Sequence, residues 1–179
     1  MKRIEIETTL NESRNWVLTR YQRFTEEQLR APLTQSQVDE HNYWSPLDHF
    51  AHWALIEGDF VTMIRRQLSG STNPVALLQD DHGQVRTREE IMAIVNARTE
   101  EFQKEHHGDS LSQVVALTGA ARGETLKLLA ELSDAQLEET LVGAPWSDGT
   151  IGGVLATNAG HVRQHWAWMK EAGLTVPTE

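Results

Sequence analysis

A chain of 179 residues with 39% apolar side chains is long enough for one cooperative core and too short for two, so a single domain over residues 1–179 is expected. Sixteen Lys and Arg against 26 Asp and Glu leave a net charge of −10, and no basic cluster is denser than Arg65–Arg66, which argues against a nucleic-acid partner. Cysteine is absent, so nitrogen and oxygen are the only metal ligands on offer; the opening MKRIEIETTL has no apolar targeting core and no uncharged run approaches ~18 residues, so the reading is cytoplasmic with no membrane span.

Thr9 and Glu12 form a T-x-x-E capping pattern, and Leu10, Val17, Tyr21 and Phe24 recur at helical spacing, which predicts a first helix over roughly 9–24. Ser45 as cap, Pro46 at the first helical position and Asp48 in the first turn predict a second helix to Leu68, ended by SGSTNP. It carries two apolar stripes, one through Phe50, Ala54, Val61, Ile64 and Leu68, the other through Trp53, Ile56, Phe60 and Met63. One is expected to face neighbouring helices and the other a second subunit of a homodimer. Residues 69–86 read as a long connection. TREE at 87–90 opens a helix to about Lys104, and HHGDS breaks it. Ser110 and Gln113 cap a further helix to about residue 131, with Val114, Leu117, Ala121, Thr125 and Leu128 as its stripe. The last long helix begins near Thr150 and ends at Gly173. No segment alternates as a strand does, so the fold class is all-α. FTEEQLRAPL (24–33) and LSDAQLEETL (132–141) share a pattern, and each precedes a Trp-Ser and then a histidine-bearing helix, which points to two related helix–loop–helix halves.

The chemistry concentrates in NAGHVRQHW at 158–166. Positions four apart on a helix differ by only about 40° in azimuth, so His161 and His165 can aim at one point. Val154, Asn158, His161, His165 and Met169 share one face, where three polar residues interrupt an apolar seam. Buried polar groups without partners cost about 1–3 kcal/mol each, so these three need hydrogen bonds or a metal. The H-E-x-x-H metalloprotease arrangement is excluded because Val162 stands where the glutamate belongs. A third ligand would come from His49 or His52 in WSPLDHFAHWALIE, and periodicity does not choose between them. Three imidazoles from two helices leave coordination positions open for water or substrate.

Two auxiliary candidates accompany them. Glu57 sits on an apolar stripe, where it is expected to orient a histidine or to pair with Arg65 or Arg66. Asn158, one turn before His161, is placed to hydrogen-bond substrate or fix nearby backbone. Asp59 is two turns from His52 and is read as lining a pocket without ligating. The tryptophans at 44, 53, 146, 166 and 168 read as core or dimer interface, and His82, His106 and His107 as loop or helix-end residues.

Trp44-Ser45 with a histidine eight residues after the tryptophan, His52, together with H-x-x-x-H at His161 and His165, resembles the DinB/YfiT-like superfamily of metal-dependent enzymes. The likeness covers the whole chain in layout. It implies a bundle of four main helices, here with an additional helix between helices two and three, and a metal site on His52, His161 and His165 with His49 as a neighbour. It further implies a divalent ion, zinc, nickel or iron, and a small-molecule substrate. Branches of the superfamily include thiol-dependent S-transferases and a mycothiol-dependent isomerase. The expected function is therefore metal-dependent hydrolysis or transfer to a low-molecular-weight thiol, the alternative being a non-catalytic dimeric bundle that binds a metal or small ligand. The inserted 69–109 region departs from compact members, and loops near a site mostly set specificity.

Overall fold

The computed structural model describes residues 1–80 and 82–177. Capping residues decide where most of its helices begin. Thr25, Ser45, Thr87, Ser110 and Ser133 each accept the backbone N–H three residues on and donate their own backbone N–H to the side-chain oxygen at that position. They open α2 (Glu26–Arg30), α3 (Pro46–Leu68), α4 (Arg88–His106), α5 (Leu111–Glu131) and α6 (Asp134–Glu138), while Thr150 caps α7 (Ile151–Glu171) by accepting from the Gly153 N–H. The first helix, α1, runs over Arg3–Tyr21 and starts earlier than T-x-x-E implied. Glu5 reaches back to the Lys2 N–H, and Thr9 lies inside the helix with its hydroxyl donating to the Glu5 carbonyl. Ile6 extends the apolar stripe one turn upstream of Leu10, and both are fully buried.

The helix α3 packs on α5 and α7, and α1 packs on the same two, so four long helices close a ring in the order α1, α7, α3, α5. The inserted α4 packs onto α3, where Arg98 pairs with Asp59. Two apolar clusters fill the ring. One gathers Ile6, Leu10, Ile64, Leu128 and Val154, and the other Val17, Tyr21, Phe50, Val114 and Met169. Between these along the helices lie buried polar residues: Ser13 on α1, Glu57 on α3, and Thr118, Arg122 and Thr125 on α5. Both stripes of α3 are largely occupied within the chain, with Leu68 at the end of the first left 41% exposed. Phe60 packs on Trp146 at 4.9 Å between centroids, Trp53 packs on Phe50 at 4.9 Å, and Ile56 and Met63 are partly buried against the core. The second stripe therefore supplies no argument for a second subunit.

The all-α class holds with one small addition, an antiparallel pair of two-residue strands, β1 (Thr34–Gln35) and β2 (Tyr43–Trp44), too short for alternation to register in the sequence. The internal echo is structural in its first half. Helices α2 and α6 are both five residues long with a buried leucine at the fourth position, Leu29 and Leu137. Each is followed by an antiparallel pairing, Thr34 with Trp44 and Thr140 with Thr150, that delivers the chain to α3 and α7. The Trp-Ser halves diverge. Ser45 caps α3, whereas Ser147 sits in the turn before α7 at a left-handed φ of 53° and leaves the cap to Thr150. Among the described residues no helix is long and apolar enough to cross a membrane.

Candidate metal centre

Helix α3 contributes His49 and His52, and α7, packed against it, contributes His161 and His165. One nitrogen from each of His52, His161 and His165 lies within 4.8 Å of the others, close enough for one ion to bridge. Their ring centroids are 4.5 Å apart for His161 and His165, 5.0 Å for His52 and His165, and 5.5 Å for His52 and His161. Aromatic rings hold the cluster from two sides. Trp44, delivered by β2, packs on both His49 and His52, and Trp168 packs on His165 at 4.9 Å.

The choice that periodicity left open on α3 is resolved in space. His52 joins the pair on α7, while His49 stands behind His165, their Nδ1 atoms 2.8 Å apart, with its Nε2 2.7 Å from the Thr34 hydroxyl. All four rings are held neutral at pH 7. Burial pushes His49 and His161 down to about 4 and His52 to about 3, His52 being depressed further by His161 and His49 as neighbouring sites of positive charge. His165 is depressed most, by burial first and then by the other three rings.

The donor set suits a metal. Nδ1 of His52 and Nε2 of His161 are buried with no hydrogen-bond partner, and the engagement of His165 Nδ1 by His49 leaves Nε2 as the His165 nitrogen on the side of an ion. Unpaired neutral imidazole nitrogens converging on one point are costly without a cation or water among them. Three imidazole nitrogens with no thiolate are a donor set that suits a divalent transition-metal ion. Asn158 lies on the same helix, 2% exposed, and both its amide nitrogen and its amide oxygen lack a partner. His161 also lines an open cleft of about 530 Å³ walled by Trp146, Ser147, Thr157, Gly160 and Gln164, so the cluster has an approach from solvent on that side.

Glu57 does not touch a histidine. Its carboxylate is forked by the Arg122 guanidinium and accepts from Thr125 Oγ1 at 3.1 Å, while Arg122 also donates to the Leu10 carbonyl. The expected pairing with Arg65 or Arg66 is thereby corrected, since Arg65 pairs with Glu131 on α5. The cause is rotation about the helix axis, which turns Glu57 into the bundle and leaves both arginines exposed. Asp59 is taken up by Arg98 and does not line the cleft. His106 and His107 fall at the C-terminal end of α4 as expected, but His107 additionally reaches the Asp48 carboxylate at 3.1 Å. Trp44, Trp53 and Trp166 are core, and Trp168 is 42% exposed. Three contacts carried no sequence signal: Thr34 with His49, Arg122 with Glu57, and His107 with Asp48.

A ring of four long helices with three convergent histidines contributed by two of them defines an all-helical bundle of the three-histidine type. A family model for the DinB superfamily matches residues 9–169, and the chain belongs to that superfamily. No curated protein and no solved structure matches it.

Proposed function

We propose that His52, His161 and His165 hold one divalent ion and that the protein is a metal-dependent enzyme acting on a small molecule admitted through the Trp146–His161 cleft. The convergence of three neutral imidazoles carries this reading, two of them with buried nitrogens that nothing else satisfies. When bound, such an ion supplies Lewis acidity and lowers the pKa of a coordinated water or thiol. The chain's own groups provide the setting. The three rings present lone pairs without first losing protons, and Trp44 and Trp168 pack against His52 and His165 and fix the cluster from two sides. Asn158 offers both a donor and an acceptor for a polar group of substrate.

Since the chain has no cysteine, a thiol in the reaction must come from a small-molecule cosubstrate. Hydrolysis and thiol S-transfer are the two reaction classes this site serves. The 69–109 region, which contains α4, is assigned to specificity. We further place the protein in the cytoplasm as a single domain and a homodimer, to which the α3 stripes offer little exposed apolar surface beyond Leu68. The direct test is metal analysis of protein purified without chelator, together with a screen of low-molecular-weight thiols against electrophilic acceptors and of simple hydrolysable esters and amides. His52→Ala should abolish metal uptake and turnover together. Metal uptake without turnover in any assay would favour a store or sensor, and a chain that takes up no metal would remove the proposal.

A further inference from the structure

His49 is not one of the three convergent ligands, yet its ring is fixed from three directions. Thr34 of β1 meets its Nε2 at 2.7 Å, Trp44 of β2 packs against it at a tilt, 5.3 Å between centroids, and His165 of α7 meets its Nδ1 at 2.8 Å. The register of the small ladder sets Thr34 directly opposite Trp44, so β1 and β2 together build the wall that holds this one side chain, which is 5% exposed.

Two neutral imidazole nitrogens 2.8 Å apart share a single proton, so one donates and the other accepts. Only two arrangements satisfy the whole series. In the first, His165 Nδ1–H donates to His49 Nδ1, and His49 Nε2–H donates to Thr34 Oγ1; the Nε2 of His165 then carries a free lone pair. In the second, the Thr34 hydroxyl donates to His49 Nε2 and His49 Nδ1–H donates to His165 Nδ1; the Nε2 of His165 then carries a proton and cannot ligate. Ligand histidines in metal sites are oriented through the nitrogen that does not bind the ion.

Building on the metal-centre reading above, we propose that His49 is a positioning residue for metal capture. It accepts the Nδ1 proton of His165, donates its own Nε2 proton to Thr34, and so holds His165 in the tautomer and orientation whose Nε2 is free for an ion. Metal capture at α3 and α7 is thereby tied to the β1–β2 ladder, which touches none of the three ligands through Thr34 itself.

The test is zinc binding to the chelator-stripped full-length chain, by competition with a chromophoric chelator, for wild type, His49→Leu, His49→Gln and Thr34→Val. All four should bind one zinc per chain, with His49→Leu weakened by about 10–100-fold. Glutamine, whose side-chain oxygen accepts the same proton, should recover most of that loss, and Thr34→Val should show a smaller loss in the same direction. Long-range ¹H–¹⁵N NMR of the zinc-loaded wild type should show His49 protonated on Nε2 and His165 on Nδ1. Unchanged affinity in a folded His49→Leu overturns the inference, as does His49 protonated on Nδ1. Loss of zinc stoichiometry in a folded His49→Leu also overturns it, by making His49 a ligand. If His49→Leu fails to fold, Thr34→Val and the NMR tautomers decide. A wild-type chain that takes up no zinc removes the metal reading and this inference together, a result distinct from normal binding with an indifferent His49→Leu.

Discussion

A buried carboxamide with neither of its polar atoms bonded costs stability, and Asn158 is in that position one turn from His161. A site kept at such a cost implies a use for it. Asn158→Leu should raise the unfolding free energy of metal-free protein by about 1 kcal/mol in urea melts, while lowering turnover or substrate affinity in whichever assay reports activity. A loss of stability in the leucine variant would mean that the amide is satisfied by ordered water, and the functional assignment would weaken. The histidine pair on α7 was legible from spacing because an i, i+4 relation is internal to one helix and survives any packing. His49 and His52 were not separable that way. Both are buried, at 5% and 6% exposed, and which of them meets the pair depends on where α7 stands.

Between elements, an arginine for Glu57 was legible in the sequence but its identity, Arg122, was not. The two are 65 positions apart, and the stripe read on α5 ran through Ala121 and Thr125, whereas Thr118, Arg122 and Thr125 are the residues that turn inward in its middle. Apolar periodicity finds apolar neighbours, and a charged layer between two apolar clusters is invisible to it. Arg122→Met alone should cost about 3–5 kcal/mol in urea unfolding, because it strands a buried carboxylate, and adding Glu57→Leu should restore much of that loss. Equal losses in the single and double variants would show that packing, not charge burial, sets the cost. Where α7 meets α6, a Cβ on Gly152 would stand 3.1 Å from the Leu137 carbonyl oxygen and 3.2 Å from the Ile6 side chain. Gly152→Ala should therefore destabilise by about 1–2 kcal/mol in the same assay, the crowding exceeding alanine's helical advantage. The capped starts of α3, α4 and α5 were readable because each is a local contract between residues three apart. The start of α1 was not, because a threonine satisfied by its own helix looks the same in sequence as a capping threonine.

Over the whole molecule, four neutral histidines, three buried and His161 half-buried, make stability depend on pH in a defined sense. Their folded pKa values, about 3–4 for three of them and lower for His165, lie below the ordinary value near 6.5, so the unfolded chain binds more protons at mildly acidic pH. The stability they permit is fully present above about pH 6.5 and falls as pH drops toward 4, by up to roughly 1.4 kcal/mol per ring per pH unit. Urea melts of metal-free protein at pH 7 and pH 5 should differ by several kcal/mol, and a flat profile would contradict the buried, neutral cluster. The all-α class and the run of helices followed from capping signals and periodicity along the chain, and the four-helix bundle with α4 as an insertion from the family resemblance. The connection of that insert to the site region did not, since it runs through Asn42 to Glu100 and Gln103, and through His107 to Asp48. The most direct measurement is metal uptake by chelator-stripped protein, read as bound divalent ion per chain and as the shift in thermal midpoint, for wild type and His165→Ala. One ion per wild-type chain, a raised midpoint and neither effect in His165→Ala are predicted; a wild-type chain that stays empty, or uptake unchanged by the substitution, would contradict the account.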